Sequence, residues 1–138
     1  MIADDLFVDA SAWIALADDT DNKHREATTA YLAMLRTYHR LVTTNLVVSE
    51  VYIALRNKIG HRAAIGFLEA SKSSPRIECV FSTSELESRA ERILRRYADQ
   101  DFSYVDAVSF ALMQTRQIKD AFTFDKHFAI MGFNCLPQ

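Results

Sequence analysis

Apolar residues in this chain arrive in short runs separated by longer stretches with helical spacing. Leu6, Phe7 and Val8 form a run that stops at Asp9, and Trp13, Ile14 and Leu16 follow behind Ser11. That pattern predicts a strand and then a helix capped by Ser11. Within 22–38, Ala27, Ala30, Tyr31, Met34 and Leu35 recur every three or four positions, the spacing of an amphipathic helix. Leu41 to Thr44 predicts a second strand. Asn45 is then placed to cap a helix in which Leu46, Val47, Val51, Ile53, Ala54 and Leu55 provide apolar surface as far as about Asn57. A helix from His61 to Lys72 closes at Ser73, Ser74 and Pro75, and Ile77, Cys79 and Phe81 alternate with Glu78 as in a strand with one wetter face. Helices over Ser84–Tyr97 and from Ser103 to about Arg116, a strand over Ala121–Phe124, a helical turn and a strand over Phe133–Leu136 complete the series. Strands alternating with helices, without a hairpin dipeptide, imply an α/β fold on a mainly parallel sheet. No repeat, low-complexity tract or linker interrupts it, which implies one domain over residues 1–138.

Composition narrows the class. With 138 residues, 49% of them hydrophobic, the chain can fill a core. Cys79 and Cys135 belong to no CxxC and have no paired histidines, so they read as two buried free thiols. The apolar stretch from Leu6 to Ala17 is too short for a bilayer, is interrupted by Asp9 and lacks a basic start, so no membrane association and a cytoplasmic location are expected. The formal charge of −2 is ambiguous. Setting Asp9, Glu50, Asp106 and Asp125 aside leaves 14 acids against 16 basic residues, a balance that permits a polyanionic substrate.

Those four acids are the candidate chemistry. Asp9 and Asp125 directly follow apolar strand runs, and in open α/β sheets ligands bind beyond the carboxyl ends of strands. Glu50 has Leu46 and Val47 one turn before it and Ile53 and Ala54 one turn after, so it shares a helical face with apolar side chains. Asp106 stands three residues after Ser103. Carboxylates forced together repel unless a cation neutralises them, and oxygen ligands suit hard divalent ions. Each acid also admits a plainer role. Asp9 and Asp125 fit helix caps or turns, Glu50 an ion pair with Arg56 or a neighbouring helix, and Asp106 a capping box with Ser103. Ser11, Asn45, Asp101, Ser103 and Thr123 lie near them in sequence and offer groups that orient ligands or substrate. Arg89, Arg92 and Arg96 share roughly one helix face, and Arg56, Lys58, His61 and Arg62 form a second basic group. Both are candidates for phosphate contact, although a solvated helix face or favourable charge at a helix C-terminus is the more ordinary reading of each.

Other chemistries lack their residues. His24, His39, His61 and His127 form no HExxH or close pair, and most read as surface residues. Gly60, Gly66 and Gly132 compose neither a P-loop nor a GxGxxG turn, and Ser11 is in no GxSxG elbow. A haloacid-dehalogenase-type phosphatase needs a second Asp where Ser11 stands, and a receiver domain needs a mid-chain strand Asp.

Taken together, Phe7-Val8-Asp9-Ala10-Ser11-Ala12-Trp13, Thr44-Asn45 with Ser49-Glu50, Phe102-Ser103-Tyr104-Val105-Asp106-Ala107 and Thr123-Phe124-Asp125-Lys126-His127-Phe128 resemble the PIN-domain ribonucleases, in particular the small VapC-like toxins of toxin-antitoxin pairs. The likeness spans the chain. It implies a three-layer α/β/α sandwich on a central, mainly parallel sheet and metal-dependent RNA cleavage leaving 5'-phosphate and 3'-hydroxyl ends. One or two Mg2+ or Mn2+ ions would be held by Asp9, Glu50 and Asp106, with Asp125 completing the acidic pocket. It also implies a homodimer and a cognate antitoxin. Gln117 and Ile118 depart from it, standing in a turn where relatives often have glycine. Two alternatives stay open: an RNase H-like nuclease, which needs several antiparallel strands where 11–38 reads as helices, and a PIN-like RNA- or protein-binding module that does not cut.

Overall fold

The computed structural model describes residues 3–138. Its elements run β1 (Ala3–Val8), α1 (Ala10–Ala17), α2 (His24–Thr37), β2 (Tyr38–Thr44), α3 (Asn45–Lys58), α4 (His61–Ser73), β3 (Ile77–Val80), α5 (Ser84–Arg96), α6 (Tyr104–Arg116), β4 (Asp120–Phe122), α7 (His127–Ile130) and β5 (Asn134–Leu136). All strand pairs are parallel, in the order β3-β2-β1-β4-β5. The chain therefore winds outward from β1 in both directions, and the switch point lies between the carboxyl ends of β1 and β4.

Helices cover both faces of this sheet. Leu6, Phe7 and Val8 are consecutive and fully buried, which needs apolar neighbours on either side. Phe7 stands in register with Ala121 and Val8 with Phe122, so the two pairs point to opposite faces. On one face Phe7 stacks on Phe128 at 6.0 Å, and Phe110 of α6 meets Phe128 edge-on at 4.9 Å. On the other face Phe122 stacks on Tyr31 of α2 at 6.5 Å. Trp13, the single tryptophan, is buried in that second layer, 5.9 Å from Phe67 of α4 and 6.5 Å from Tyr31, with its Nε1 lacking a partner among the described residues. The expected three-layer α/β/α sandwich is the fold found.

Local departures have local causes. α1 is capped by Asp9, not Ser11, and α3 by Thr44, whose hydroxyl accepts from Val47 N–H at 3.1 Å; Asn45 is already helical. At each site the residue with extended backbone before the first turn takes the cap. β3 ends at Val80, leaving Phe81 71% exposed, and every β3 residue is half-buried because this edge strand pairs with β2 alone. Ile53, expected among the packed positions of α3, is 55% exposed. β4 stops at Phe122 rather than Phe124, because the Phe124 N–H donates to Ser11 Oγ at 2.9 Å. Gln117 takes the left-handed turn conformation, φ 58°, that a glycine would adopt more freely, and Ile118 N–H closes the helix end on Met113 O at 2.9 Å. Cys79 and Cys135 are free, as expected, but half-buried rather than buried.

Two interactions fasten the helices. Arg76 donates to the carbonyls of Leu35, Tyr38 and His39 at 2.8, 2.6 and 2.9 Å, tying the end of α2 to the start of β3. Asp18, with no exposed surface, accepts from Thr20 Oγ1 at 2.6 Å and pairs with Lys58 Nζ at 2.9 Å. The Thr20 bonds, followed by Lys58, hold its carboxyl down at about 2. Its folded pKa lies below the ordinary 3.8, so its stabilising effect is full above that value and fades as pH falls towards 2.

Two measurements follow. Phe110→Ala, which empties the centre of the aromatic cluster, is expected to lower unfolding free energy by about 3–5 kcal/mol in urea titration. Asp18→Asn is expected to be less stable than the parent at neutral pH, with the gap closing between about pH 4 and pH 2 in acid unfolding curves.

Candidate metal centre

Asp9 stands where β1 ends, at the switch point, and is buried to 4% exposure. Its Oδ2 accepts from Ser11 Oγ at 2.8 Å and from Thr123 Oγ1 at 2.9 Å, with a longer bond from Ser11 N–H at 3.4 Å. The two hydroxyls also accept: Ser11 Oγ from Phe124 N–H and Thr123 Oγ1 from Asp125 N–H, both at 2.9 Å. Ser11 and Thr123 thus hold one carboxylate oxygen and the loop leading to Asp125 in a single arrangement. Burial raises the Asp9 pKa, with Asp106 adding to the rise, against lowering by Ser11 and Thr123.

Asp106 enters from the first turn of α6. Its Oδ2 accepts from Ser103 N–H at 3.2 Å while its own N–H donates to Ser103 Oγ at 3.0 Å, so the capping box is real. Capping and clustering coexist: burial first, then Asp125, raise the Asp106 carboxyl. Asp125 is half-buried and accepts from His127 N–H at 2.9 Å. Glu50, on α3, is solvent-exposed and makes no ion pair among the described residues, so the alternative of a bridge to Arg56 does not form. Its carboxyl is nevertheless raised, first by partial burial among its neighbours and then by the charges of Asp9, Asp106 and Asp125. Four carboxylates from four parts of the chain therefore act on one another at one sheet edge.

His127 belongs to the same cluster, although no sequence spacing marked it. Its Nε2 lies 2.7 Å from Asp101 Oδ1, and its Nδ1 lies 3.0 Å from Asp125 Oδ1 and 3.4 Å from Asp106 Oδ2. The Nδ1 contacts meet the distance but not the alignment of hydrogen bonds. Burial would lower the His127 pKa, but Asp101, Asp125 and Asp106 outweigh it and raise it. Asp106, Asp125 and His127 each offer one ligand atom within 4.8 Å of the others. Such a donor set suits a divalent cation, with carboxylate oxygens favouring a hard one.

The remaining expected site residues divide. Ser11 and Thr123 orient Asp9, Ser103 orients Asp106, and Asp101, 90% exposed, reaches the cluster only through His127. Asn45 takes another duty, its Oδ1 accepting from Ser82 N–H at 2.8 Å and tying α3 to the loop before α5. Arg89, Arg92 and Arg96 gather around a separate cavity beside α5. Of the second basic group, Lys58 is occupied by Asp18. Among the described residues no helix is long and apolar enough to cross a membrane.

Comparison with known proteins identifies the family and the fold. The family model of the PIN domain matches residues 6–134. A 23S rRNA-specific endonuclease of Mycobacterium tuberculosis, VapC20, is 34% identical over 128 residues, covering 93% of this chain and 95% of the relative. The crystal structure of VapC20, described as a sarcin-ricin-loop-cleaving toxin, superimposes with a TM-score of 0.86 at 32% identity, covering 93% of this chain and 95% of that one. VapBC2 of Rickettsia felis, solved bound to a promoter DNA fragment, shares the fold with a TM-score of 0.69 at 7% identity, covering 95% and 96%.

The raised carboxyls make a sign prediction. A carboxylate whose folded pKa lies above its unfolded value weakens the fold when ionised. In chelator at neutral pH, Glu50→Gln is expected to raise the unfolding free energy, and with it the midpoint, by no more than about 1 kcal/mol because solvent screens an exposed charge. The gain should vanish as pH falls below the ordinary 4.5 and reverse when Mn2+ is added, as read by thermal melts.

Proposed function

The chain belongs to the PIN-domain family, and on that premise we propose that it is a divalent-metal-dependent ribonuclease, acting in the cytoplasm as the toxin of a toxin-antitoxin pair. The observation that supports this best is the gathering of Asp106, Asp125 and His127 within 4.8 Å of one another, with Asp9 fixed at the switch point of the sheet by Ser11 and Thr123 and the charges of all three acids felt at Glu50. A charge cluster of this kind weakens the fold unless a cation is held there. In this reading the whole chain is one nuclease domain, a structured ribosomal RNA is its substrate as for the similar VapC20, and a second copy and a cognate antitoxin are its partners.

Asp9, Glu50, Asp106 and Asp125 would hold one or two Mg2+ or Mn2+ ions. Such an ion supplies Lewis-acid stabilisation of the scissile phosphate and favours ionisation of a water at neutral pH. The protein's own residues do the positioning. Asp9 offers a carboxylate locked by hydroxyl donors, so little reorganisation accompanies binding. Asp106 is held by the N–H of Ser103 on a helix whose first turn favours negative charge. His127 sits between Asp101 and the inner acids and limits how far Asp125 and Asp106 can swing. The buried cluster of Phe7, Phe110 and Phe128 reaches His127 through Phe102, which gives that side of the site an apolar backing.

Incubation of a 23S rRNA-derived hairpin with the protein and Mn2+ is the test. Cleavage that chelator abolishes, and that Asp9→Asn and Asp106→Asn each reduce by at least about 100-fold, is the expected outcome. Cleavage surviving both substitutions would exclude this site, and binding without any cleavage by the parent would favour a non-catalytic module.

A further inference from the structure

Four carboxylates repel a phosphodiester backbone as strongly as they attract a cation, so the grip on a polyanion must lie elsewhere. Several cations of this chain are already committed. Arg40 pairs with Asp5 and Glu78, Arg116 with Glu78, Lys58 with Asp18, and Arg76 with backbone carbonyls. Arg89, Arg92 and Arg96 differ: among the described residues none has a carboxylate within 4 Å, yet all three line one groove of about 360 Å³.

The layout suits a strand of phosphates better than one anion. Positions 89, 92 and 96 repeat at three and four, placing the guanidiniums in a row about 10 Å long on one face of α5. Glu87 and Glu91 are turned to a different side, where both accept from the Tyr104 hydroxyl at 3.0 Å. Gln114 of α6 and the apolar Met131 complete the opposite wall. The row also leads to the acids. Tyr97, at its Arg96 end, touches Phe102 at 5.7 Å, and Phe102 touches His127 at 5.4 Å, beside Asp106 and Asp125. Arg89 marks the far end, since it also adjoins Thr115 near the end of α6.

We propose that the groove lined by Arg89, Arg92 and Arg96 is an RNA-backbone site that takes the strand flanking the scissile bond, so that long or structured RNA is bound and cleaved in preference to short oligonucleotides. This rests on the ribonuclease reading for its cleavage arm alone.

The test uses the full chain in chelator, with a fluorescently labelled RNA hairpin titrated by anisotropy across a range of NaCl concentrations. Replacing the three arginines with glutamine is expected to weaken binding at least tenfold near 0.1 M salt and to flatten the log-log salt slope by about 2. Lysines at all three positions should keep the slope, and Arg92→Gln alone should remove about a third of the change, which covers the case of a triple variant that folds poorly. Arg25→Gln with Arg36→Gln, at two exposed arginines of α2, serves as the control for general charge loss. With Mn2+ added, the triple variant should lose kcat/KM on the hairpin through KM while cleaving a trinucleotide as the parent does. Unchanged affinity and slope, equal loss in the control, or a dissociated oligomer as the sole effect of the triple substitution would each overturn the proposal. Absence of cleavage by the parent would count against the ribonuclease reading alone, because the salt slopes still report on the groove.

Discussion

The active edge depends on one carboxylate oxygen. Asp9 Oδ2 receives the hydroxyls of Ser11 and Thr123, and those hydroxyls in turn receive the N–H groups of Phe124 and Asp125. The arrangement joins the end of β1 to the loop after β4, strands that are neighbours in the sheet but more than 100 positions apart in sequence. It ends β4, caps α1 and aims Asp125 in one small set of bonds. Because β1 is the central strand with buried residues on both faces, any shift of Asp9 must move the core with it.

The same place is where the fold opposes itself. Burial and mutual repulsion both raise Asp9, Glu50 and Asp106, and His127 acts against the rise at Asp106. Local rules of stability are broken here and satisfied elsewhere. The aromatic cluster of Phe7, Phe110 and Phe128 beneath the acids and the Arg76 and Asp18 bonds away from them hold the frame against the strain.

Much of this was legible in the chain itself. The run Leu6 to Val8 ending in Asp9 announces a buried strand with an acid at its tip, and alternation of strands with helices announces the parallel sheet. The Ser103–Asp106 spacing reads correctly as a capping box, but sequence treats box and site as rivals, whereas one carboxylate oxygen serves the helix start and stands near His127. His127 escaped notice for a physical reason. Its ring partner Asp101 is 26 positions away and Asp106 lies on a different helix, so no local period records the contact. Neighbouring residues of like chemistry are also hard to separate. Thr44 and Asn45 both make good caps, and only the backbone angles at the strand end decide between them. The fate of individual basic residues is equally hidden, since Lys58 and Arg92 look alike until Asp18 is found beside one of them.

Trp13 has an optical consequence. The only indole of the chain packs against Tyr31 and Phe67, in the layer of α1, α2 and α4, and nothing comparable sits among α5, α6 and α7. Its emission therefore follows one side of the sheet. Circular dichroism in the far ultraviolet weighs every helix, so the two signals part company wherever the arginine-bearing layer loosens before the tryptophan-bearing one.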